Sequence, residues 1–182
     1  MDVPALESER LFFRSHRLDD FDDSAAMWAD PSVTRHIGGS PFSAEETWTK
    51  LLRYVGLWQL LGFGYWVIRE KASGRFVGEV GLADFHRQIE PSFRGAPEMG
   101  WALASWAHGK GLATEAVRAA SDWGRVHLRS SRTVCMIHPD NLASIRVAEK
   151  CGFEEFARTT YKGQPTVLFQ QRLTERSRRA KE

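Results

Sequence analysis

Cysteine is scarce in this chain: two in 182 residues, Cys135 and Cys151. They sit in TVCMI and AEKCGF, inside apolar patterns, with no C-x-x-C and no metal-ligand spacing. That excludes a disulfide scaffold and a thiolate metal site, and leaves two small buried thiols of a reducing compartment. Long hydrophobic runs are missing as well. The stretch from Val55 to Ile68 is broken by Gly56, Gln59, Gly62 and Gly64, so it does not serve as a membrane span. The N-terminus, MDVPALESERLFF, is acidic and has no basic region leading into an apolar one, so no signal peptide is expected and the expected location is the cytoplasm. Charge of one sign is absent too. With 25 basic and 23 acidic residues the net charge is +2, which supplies no field for a nucleic acid backbone. The basic residues near the end, Arg172, Arg176, Arg178, Arg179 and Lys181, are interleaved with Glu175 and closed by Glu182, and read as a solvated end. There is no internal repeat and no low-complexity segment.

What is present is an ordinary globular composition, 42% hydrophobic and 26% charged. At this length a chain buries roughly two thirds of its unfolded surface, enough for a core without disulfides. One domain over residues 1–182 is expected, with its core over 6–173 and a polar tail over 174–182. RLFFR (10–14) reads as a strand. Leu18, Phe21, Ala25 and Trp28 fall at helical spacing, with Asp19, Asp20, Asp22 and Asp23 suited to the positive end of that helix. Ser43-Ala-Glu-Glu46 matches a capping box and opens a second helix with the stripe Trp48, Leu51, Leu52, Val55 and Trp58. Strands follow over 65–68 and 76–82 about the turn KASGR, then a polar loop over 84–97 and the strand EMGWAL (98–103). A helix over about 111–127 turns Leu112, Ala116, Ala120, Trp123 and His127 to one face. TVCMIH (133–138) is apolar enough to be buried on both sides. A last helix runs from Asn141 to a stop at Gly152, with Leu142, Ile145, Ala148 and Cys151 inward, and two strands over 153–159 and 166–173 close the chain. The order predicts a mixed α/β domain: one central sheet of about six or seven strands with helices on both faces. Seven tryptophans are many; Trp58, Trp66, Trp101 and Trp106 lie near the expected cleft, where core packing is the plainer explanation of each.

The informative stretch is WAHGKGLATEAV (106–117). A strand that passes through a glycine loop into a helix presents unpaired backbone N–H groups and the positive end of the helix dipole, which together favour an anion. Gly109 and Gly111 allow close approach to the backbone, and Lys110 adds charge if it turns inward. Two familiar phosphate loops fail. A P-loop needs Ser or Thr after its Gly-Lys, and Gly111 stands there; a dinucleotide fingerprint needs a third glycine where Thr114 stands.

HGKGLA (108–113) resembles the pyrophosphate motif Q/R-x-x-G-x-G/A of the GNAT superfamily, the acetyl-coenzyme A-dependent N-acetyltransferases. EMGWAL before it, ATEAV after it and HPDNLASIRVAEKCGF (138–153) downstream are similar to the segments that surround that motif. The opening LESERLFFR resembles the ribosomal-protein N-terminal acetyltransferase branch, and the resemblance runs over roughly Leu6 to Leu173. One position departs from the pattern: His108 stands where Gln or Arg is usual.

The resemblance implies a splay between two parallel strands, 98–103 and 133–138, that admits the pantetheine arm of acetyl-coenzyme A beside Trp101, Ala102 and Leu103. It implies a pyrophosphate held over His108, Gly109, Lys110, Gly111, Leu112, Ala113 and Thr114, with further coenzyme contacts at Asn141, Ser144 and Lys150. Asn141 is also the natural cap of its helix. The implied reaction is direct attack of a neutral amine on the thioester, with a base for the amine proton and an acid for the thiolate. The tyrosine that many members use as the acid is replaced by Ala148, so Ser144 is the candidate acid. Glu98 is the candidate base, Glu79 the runner-up, and Asp84 and His86 weaker candidates. Acceptor recognition is expected in Thr34–Phe42, the second helix and the loop Phe85–Pro97. The implied partners are acetyl-coenzyme A and an amine, on a peptide N-terminus or a small molecule, with no metal, nucleic acid or membrane, in a monomer or homodimer. The alternative is a non-catalytic acetyl-coenzyme A sensor on the same fold.

Overall fold

A computed structural model describes residues 2–173; the expected tail over 174–182 lies outside the described residues. The strands are β1 (Leu6–Glu7), β2 (Leu11–Arg14), β3 (Tyr65–Glu70), β4 (Phe76–Ala83), β5 (Glu98–Leu103), β6 (Arg132–Ile137), β7 (Glu154–Tyr161) and β8 (Gln164–Arg172). The helices are α1 (Phe21–Trp28), α2 (Pro31–Thr34), α3 (Ala44–Leu61), α4 (Leu112–His127) and α5 (Leu142–Lys150). All the strands join one sheet in the order β1-β2-β3-β4-β5-β6-β8-β7. Pairing is antiparallel throughout except between β5 and β6. The sheet therefore has eight strands where about six or seven were expected. The addition is β1, whose two residues pair with Phe12 and Phe13 and are too few to show a period. No helix among the described residues is long and apolar enough to cross a membrane.

Helix α4 covers one face of the sheet. Leu112, Ala116, Val117, Ala120 and Trp123 are buried in the main core, and the two alanines are fully covered, as expected of a helix lying close against strands. His127 is exposed, although its ring stacks on Trp123 at 4.6 Å. Trp58, Trp66 and Trp123 meet edge to face with centroids 4.8–5.5 Å apart, the favoured aromatic geometry. Trp58 and Trp66 are thus core residues. Both cysteines are free and buried, and burial pushes both thiols up, Cys151 to about 11.

Helices α1 and α3 depart from the expected faces, and the departures matter for the site. Leu18 is exposed, while Asp20 and Ser24 are completely buried. Asp20 accepts from Arg14 Nη1 and Nη2 at 2.6 Å, from Arg69 Nη2 at 2.8 Å and from the Arg17 backbone at 2.8 Å. Burial pushes its carboxyl up, but those donors outweigh it and hold the group at about 2. A carboxylate with four donors is satisfied in the interior in a way an exposed helix-end aspartate is not. On α3 the capping box at Ser43 and Glu46 forms as expected. The buried face, however, is Thr47, Leu51, Tyr54, Leu57 and Trp58; Leu52 and Val55 are half exposed, and Trp48 is at the surface. Two apolar stripes compete on this helix, and the one carrying Tyr54 wins because its ring stacks on Tyr65 of β3 at 4.2 Å. The loop over 84–97 is less polar in its packing than in its composition: Ile89, Phe93 and Ala96 are buried against Val134 and Leu168. On α5, Ala148 and Cys151 are buried but Leu142 is exposed.

Candidate active site

Strands β5 and β6 share a single bridging pair, Glu98 with Val134, next to one further bond from the Val134 N–H to the Pro97 carbonyl. Beyond that point the ladder stops, while β5 stays fully paired to β4 from Glu98–Ala83 to Leu103–Gly78. The β6-facing backbone of β5 past Glu98 is thus left without a strand partner, and the expected splay is present. Because the two strands are parallel, their C-terminal ends open on the same side, and there the chain places the Gly109–Gly111 loop and the start of α5.

The loop is shaped by its own polar groups. Gly109 and Gly111 have φ of 74° and 78°, a region that side chains other than glycine rarely adopt. Gly111 is the residue before α4 and gives it no side-chain cap, so the first-turn N–H groups of Leu112, Ala113 and Thr114 face outward from the helix end. His108 does not join them. Its ring nitrogen Nε2 lies 2.8 Å from the Leu103 carbonyl, and its backbone N–H donates to Ser105 at 3.1 Å. Both close the loop onto the end of β5, which leaves the ring nitrogen Nδ1 as the group of His108 open to a further contact. The Nε2 bond takes the Leu103 carbonyl, leaving the N–H and C=O of Trp101 as the gap-facing groups of β5, while those of Ala102 turn to Glu79 of β4. Lys110 lies over the Trp106 ring at 4.8 Å, and a second cation, Arg75, lies 4.1 Å from the centroid of the same ring.

Arg10 was not expected in this site. Its Nη1 donates to the Lys110 carbonyl at 3.0 Å and its Nε to Glu115 at 2.7 Å, and Nη2 comes close to Gly111. Glu115 also accepts from Ser8 Oγ and the Arg10 N–H, both at 2.7 Å, which ties the N-terminal segment to the first turn of α4. A guanidinium thereby stands at the anion-facing end of that helix. Nothing in the strand pattern RLFFR distinguished this arginine. Lys150 lies further along, in a groove it shares with Gly111, Thr114 and Arg118, whose Nη2 donates to the Lys150 carbonyl at 2.9 Å.

At the start of α5, Asn141 Oδ1 accepts from the Ser144 N–H at 3.1 Å, so Asn141 caps the helix. Its side-chain N–H₂ and the Ser144 hydroxyl form no hydrogen bond among the described residues.

At the vertex of the splay Glu98 is buried, and both of its oxygens accept from Arg87, through Nε and, at 2.7 Å, Nη2. Arg87 is further held by the Tyr161 hydroxyl at 3.2 Å. A carboxylate carries two lone pairs on each oxygen, so this pairing leaves one on each for a proton or a water. Two residues along β5, Gly100 leaves room for Tyr65: a Cβ there would stand 2.0 Å from the phenol oxygen. Burial and the Glu98 charge push the Tyr65 phenol well up, so it stays protonated as a hydrogen-bond donor at the vertex. Arg87 was expected only as part of the acceptor loop, and nothing in the sequence pointed to Tyr65.

Glu79 lies on the same face of the sheet, beside Ala102, completely buried. It accepts from Ser24 Oγ at 2.9 Å and Trp28 Nε1 at 3.0 Å, and His16 Nε2 lies 3.6 Å away. Burial pushes its carboxyl up, and the His16 ring, Lys50 and Ser24 outweigh that and hold it low. Asp84 and His86 are linked to each other on the surface, with Asp84 Oδ1 accepting from the His86 N–H at 2.9 Å. Among the described residues no group of three or more His, Cys, Asp or Glu is placed to hold a metal.

A sheet parted at its one parallel pair, with an uncapped helix end at the mouth of the gap, sets an exposed strand edge beside a site that favours an anion. Residues 10–154 match the family model described as the acetyltransferase (GNAT) domain, and the chain belongs to this family of acyltransferases, which carry acetyl groups to amines. It is 27% identical over 154 residues to N-acetyltransferase p20 of Bacillus licheniformis, itself uncharacterized, with 84% of each chain covered. An acetyltransferase of Agrobacterium tumefaciens superposes with a TM-score of 0.81 at 26% identity, covering 94% of this chain and 95% of that one. The fold is also that of RimL, a ribosomal L7/L12 alpha-N-protein acetyltransferase solved with coenzyme A, at a TM-score of 0.75 and 18% identity, covering 93% and 98%.

Proposed function

We propose that this enzyme moves the acetyl group of acetyl-coenzyme A to a primary amine on a peptide N-terminus or a small molecule, in the manner of the ribosomal-protein N-terminal acetyltransferase branch. The observation that carries this reading is the single Glu98–Val134 bridge, with the Gly109–Gly111 loop standing at the open end of the gap it leaves. The residues fit the coenzyme: first-turn N–H groups and Arg10 offer an anion site, and the gap-facing backbone of Trp101 offers a strand edge to an amide-bearing arm, with Ala102 and Leu103 beside it.

Glu98 takes the amine proton, directly or through a water, on the lone pairs that Arg87 leaves free; Arg87 and Tyr161 act as positioning residues that hold the carboxylate at the vertex. The amine nitrogen attacks the acetyl carbon, the carbon–sulfur bond breaks, and the departing thiolate takes a proton. Ser144, whose hydroxyl is unengaged at the start of α5, is the proposed donor of that proton, and Asn141 contributes its free N–H₂ to the arm. Lys150 stands in the groove beside Gly111 and Thr114, where it adds positive charge for the phosphate-bearing end.

The test is release of free thiol from acetyl-coenzyme A in the presence of a panel of amines: peptides with free N-termini, diamines, aminoglycosides and simple alkylamines. Release with at least one amine, saturable in both substrates, is the expected result. Tight coenzyme binding with no release from any amine would return the chain to the sensor reading.

A further inference from the structure

Helix α3 carries a lysine with no ordinary partner. Lys50 Nζ forms no hydrogen bond and no ion pair among the described residues. It lies instead over the Trp28 ring at 4.0 Å, with Phe42 at 5.3 Å and Tyr54 at 5.4 Å. Trp28 and Phe42 are themselves stacked at 5.1 Å. The floor of this box is Glu79, bound to Trp28 Nε1, and beside it lies His16, whose side chain is 1% exposed and whose two ring nitrogens both lack a hydrogen-bond partner. His16 also packs on Tyr54, with centroids 5.1 Å apart.

Three rings around a buried carboxylate make an environment for an alkylammonium ion, because ring faces attract positive charge and the carboxylate balances it. The donors placed on Glu79 are the neutral Ser24 hydroxyl and Trp28 N–H, and the Lys50 ammonium makes no direct contact with it. Here the cation of a half-buried lysine sits over the rings, and burial with the Arg53 and Arg87 charges pulls Lys50 down to about 8 against the attraction of Glu79. An ammonium held at that cost, on a stem of four rotatable carbons, is replaceable.

The box is also in the right place. Tyr54 forms one wall and stacks on Tyr65, whose hydroxyl lies against Gly100 at the vertex of the splay. One pair of stacked rings thus connects the box to the strand where the acetyl group is expected. The amine that attacks must be neutral, whereas this box favours a charge. The group it receives is therefore a second one, distinct from the reacting amine.

We infer that Trp28, Phe42, Tyr54 and Glu79 form a subsite for a second, positively charged group of the acceptor, and that Lys50 fills it as an internal competitor until the acceptor displaces it. The inference rests on the acetyl-transfer reading and narrows its acceptor to amines that carry an additional alkylammonium, as a free diamine or a lysine side chain.

The test compares the natural enzyme with Lys50→Ala and Phe42→Leu on pentylamine, 1,5-diaminopentane, and two tripeptides that differ only in carrying lysine or norleucine. Lys50→Ala is expected to raise the preference for diaminopentane over pentylamine, read as a ratio of kcat/KM, about tenfold, as when an occupant present about nine-tenths of the time is removed. Phe42→Leu lowers the same ratio. An equal gain for the lysine tripeptide over its norleucine twin assigns the cation to a peptide; a gain confined to the diamine assigns it to a free diamine. An unchanged or lower ratio in Lys50→Ala overturns the proposal. Binding of tetramethylammonium, followed by tryptophan fluorescence without acetyl-coenzyme A, separates the subsite from the chemistry. It is expected to bind Lys50→Ala about tenfold more tightly than the natural enzyme. Equal binding sinks the subsite even if amines are acetylated. Tighter binding with no thiol released from any amine leaves the subsite standing and removes the acetyl-transfer reading.

Discussion

At the mouth between β5 and β6 the chain offers backbone: two glycines at positive φ, an uncapped helix end and the unpaired edge of β5. On the face covered by α1 and α3 it offers side chains instead, with His16, Trp28, Phe42, Lys50, Tyr54 and Glu79 brought from five separate stretches of sequence. The difference teaches how the two substrates are handled. A backbone site needs only a few consecutive residues with the right conformational freedom, and it suits a phosphorylated arm of invariant chemistry. A side-chain site is assembled by the fold and can be altered one residue at a time, which suits an acceptor that differs between enzymes of one family.

The sharpest way to separate the two regions is at the vertex where they meet. Glu98→Gln is expected to lower kcat/KM for the acceptor by about 100-fold or more, the usual contribution of a positioned base, while the dissociation constant of acetyl-coenzyme A stays put. An unchanged rate across pH would remove Glu98 from the mechanism. Gly111→Val should act only on the backbone site. A β-branched residue at φ of 78° is strained, and its side chain stands where the anion approaches, so the KM for acetyl-coenzyme A should rise by about 10- to 100-fold with the acceptor's KM little moved.

A third test loosens the side-chain face alone. Asp20 joins Arg14 and Arg69 beneath α1. Its carboxyl is held at about 2, below its ordinary value of 3.8, so it contributes stability at every pH above 3.8, and that contribution disappears as pH falls through about 2. The contribution is on the order of 2 kcal/mol. In Asp20→Asn the midpoint of thermal unfolding should drop at pH 7, and part of the loss between pH 4 and 2 seen in the natural protein should vanish. A variant with the same acid profile as the natural enzyme would show that the clamp does not carry this energy. The smallest effect is expected at His108→Ala. Because the ring closes the loop through Nε2, the KM for acetyl-coenzyme A should rise only about threefold, the order of one ordinary hydrogen bond. A loss as large as that of Gly111→Val would put the ring among the coenzyme contacts.

The contrast also explains what could be read in advance. The strands and helices around the glycine loop were legible because their signals are local: EMGWAL, the two glycines and the alanine face of α4 follow one another in the chain. The Asn141 cap was legible for the same reason. The acceptor face was not. Asp20 looks like one of four helix-end acids, and only the arrival of Arg14 and Arg69 makes it an interior clamp. On α3 two apolar stripes were available, and the choice between them belongs to Tyr65, eleven residues after Tyr54 and on another element. Lys50 reads in sequence as a surface lysine, since nothing near it in the chain announces Trp28 or Phe42.

By itself, then, the sequence determined where the chain turns from strand to loop to helix and which backbone groups are left unpaired there, and hence that an anion is favoured at this end of the helix. Those properties depend on conformational preferences of neighbouring residues. Tertiary structure alone decided the rest: Arg10 beside Gly111, both oxygens of Glu98 engaged by Arg87, the His108 ring on the Leu103 carbonyl, and an ammonium inside three rings. Each of these joins a charged or polar group to a partner chosen by burial, because desolvation makes an interior charge depend on whatever the packing brings within reach.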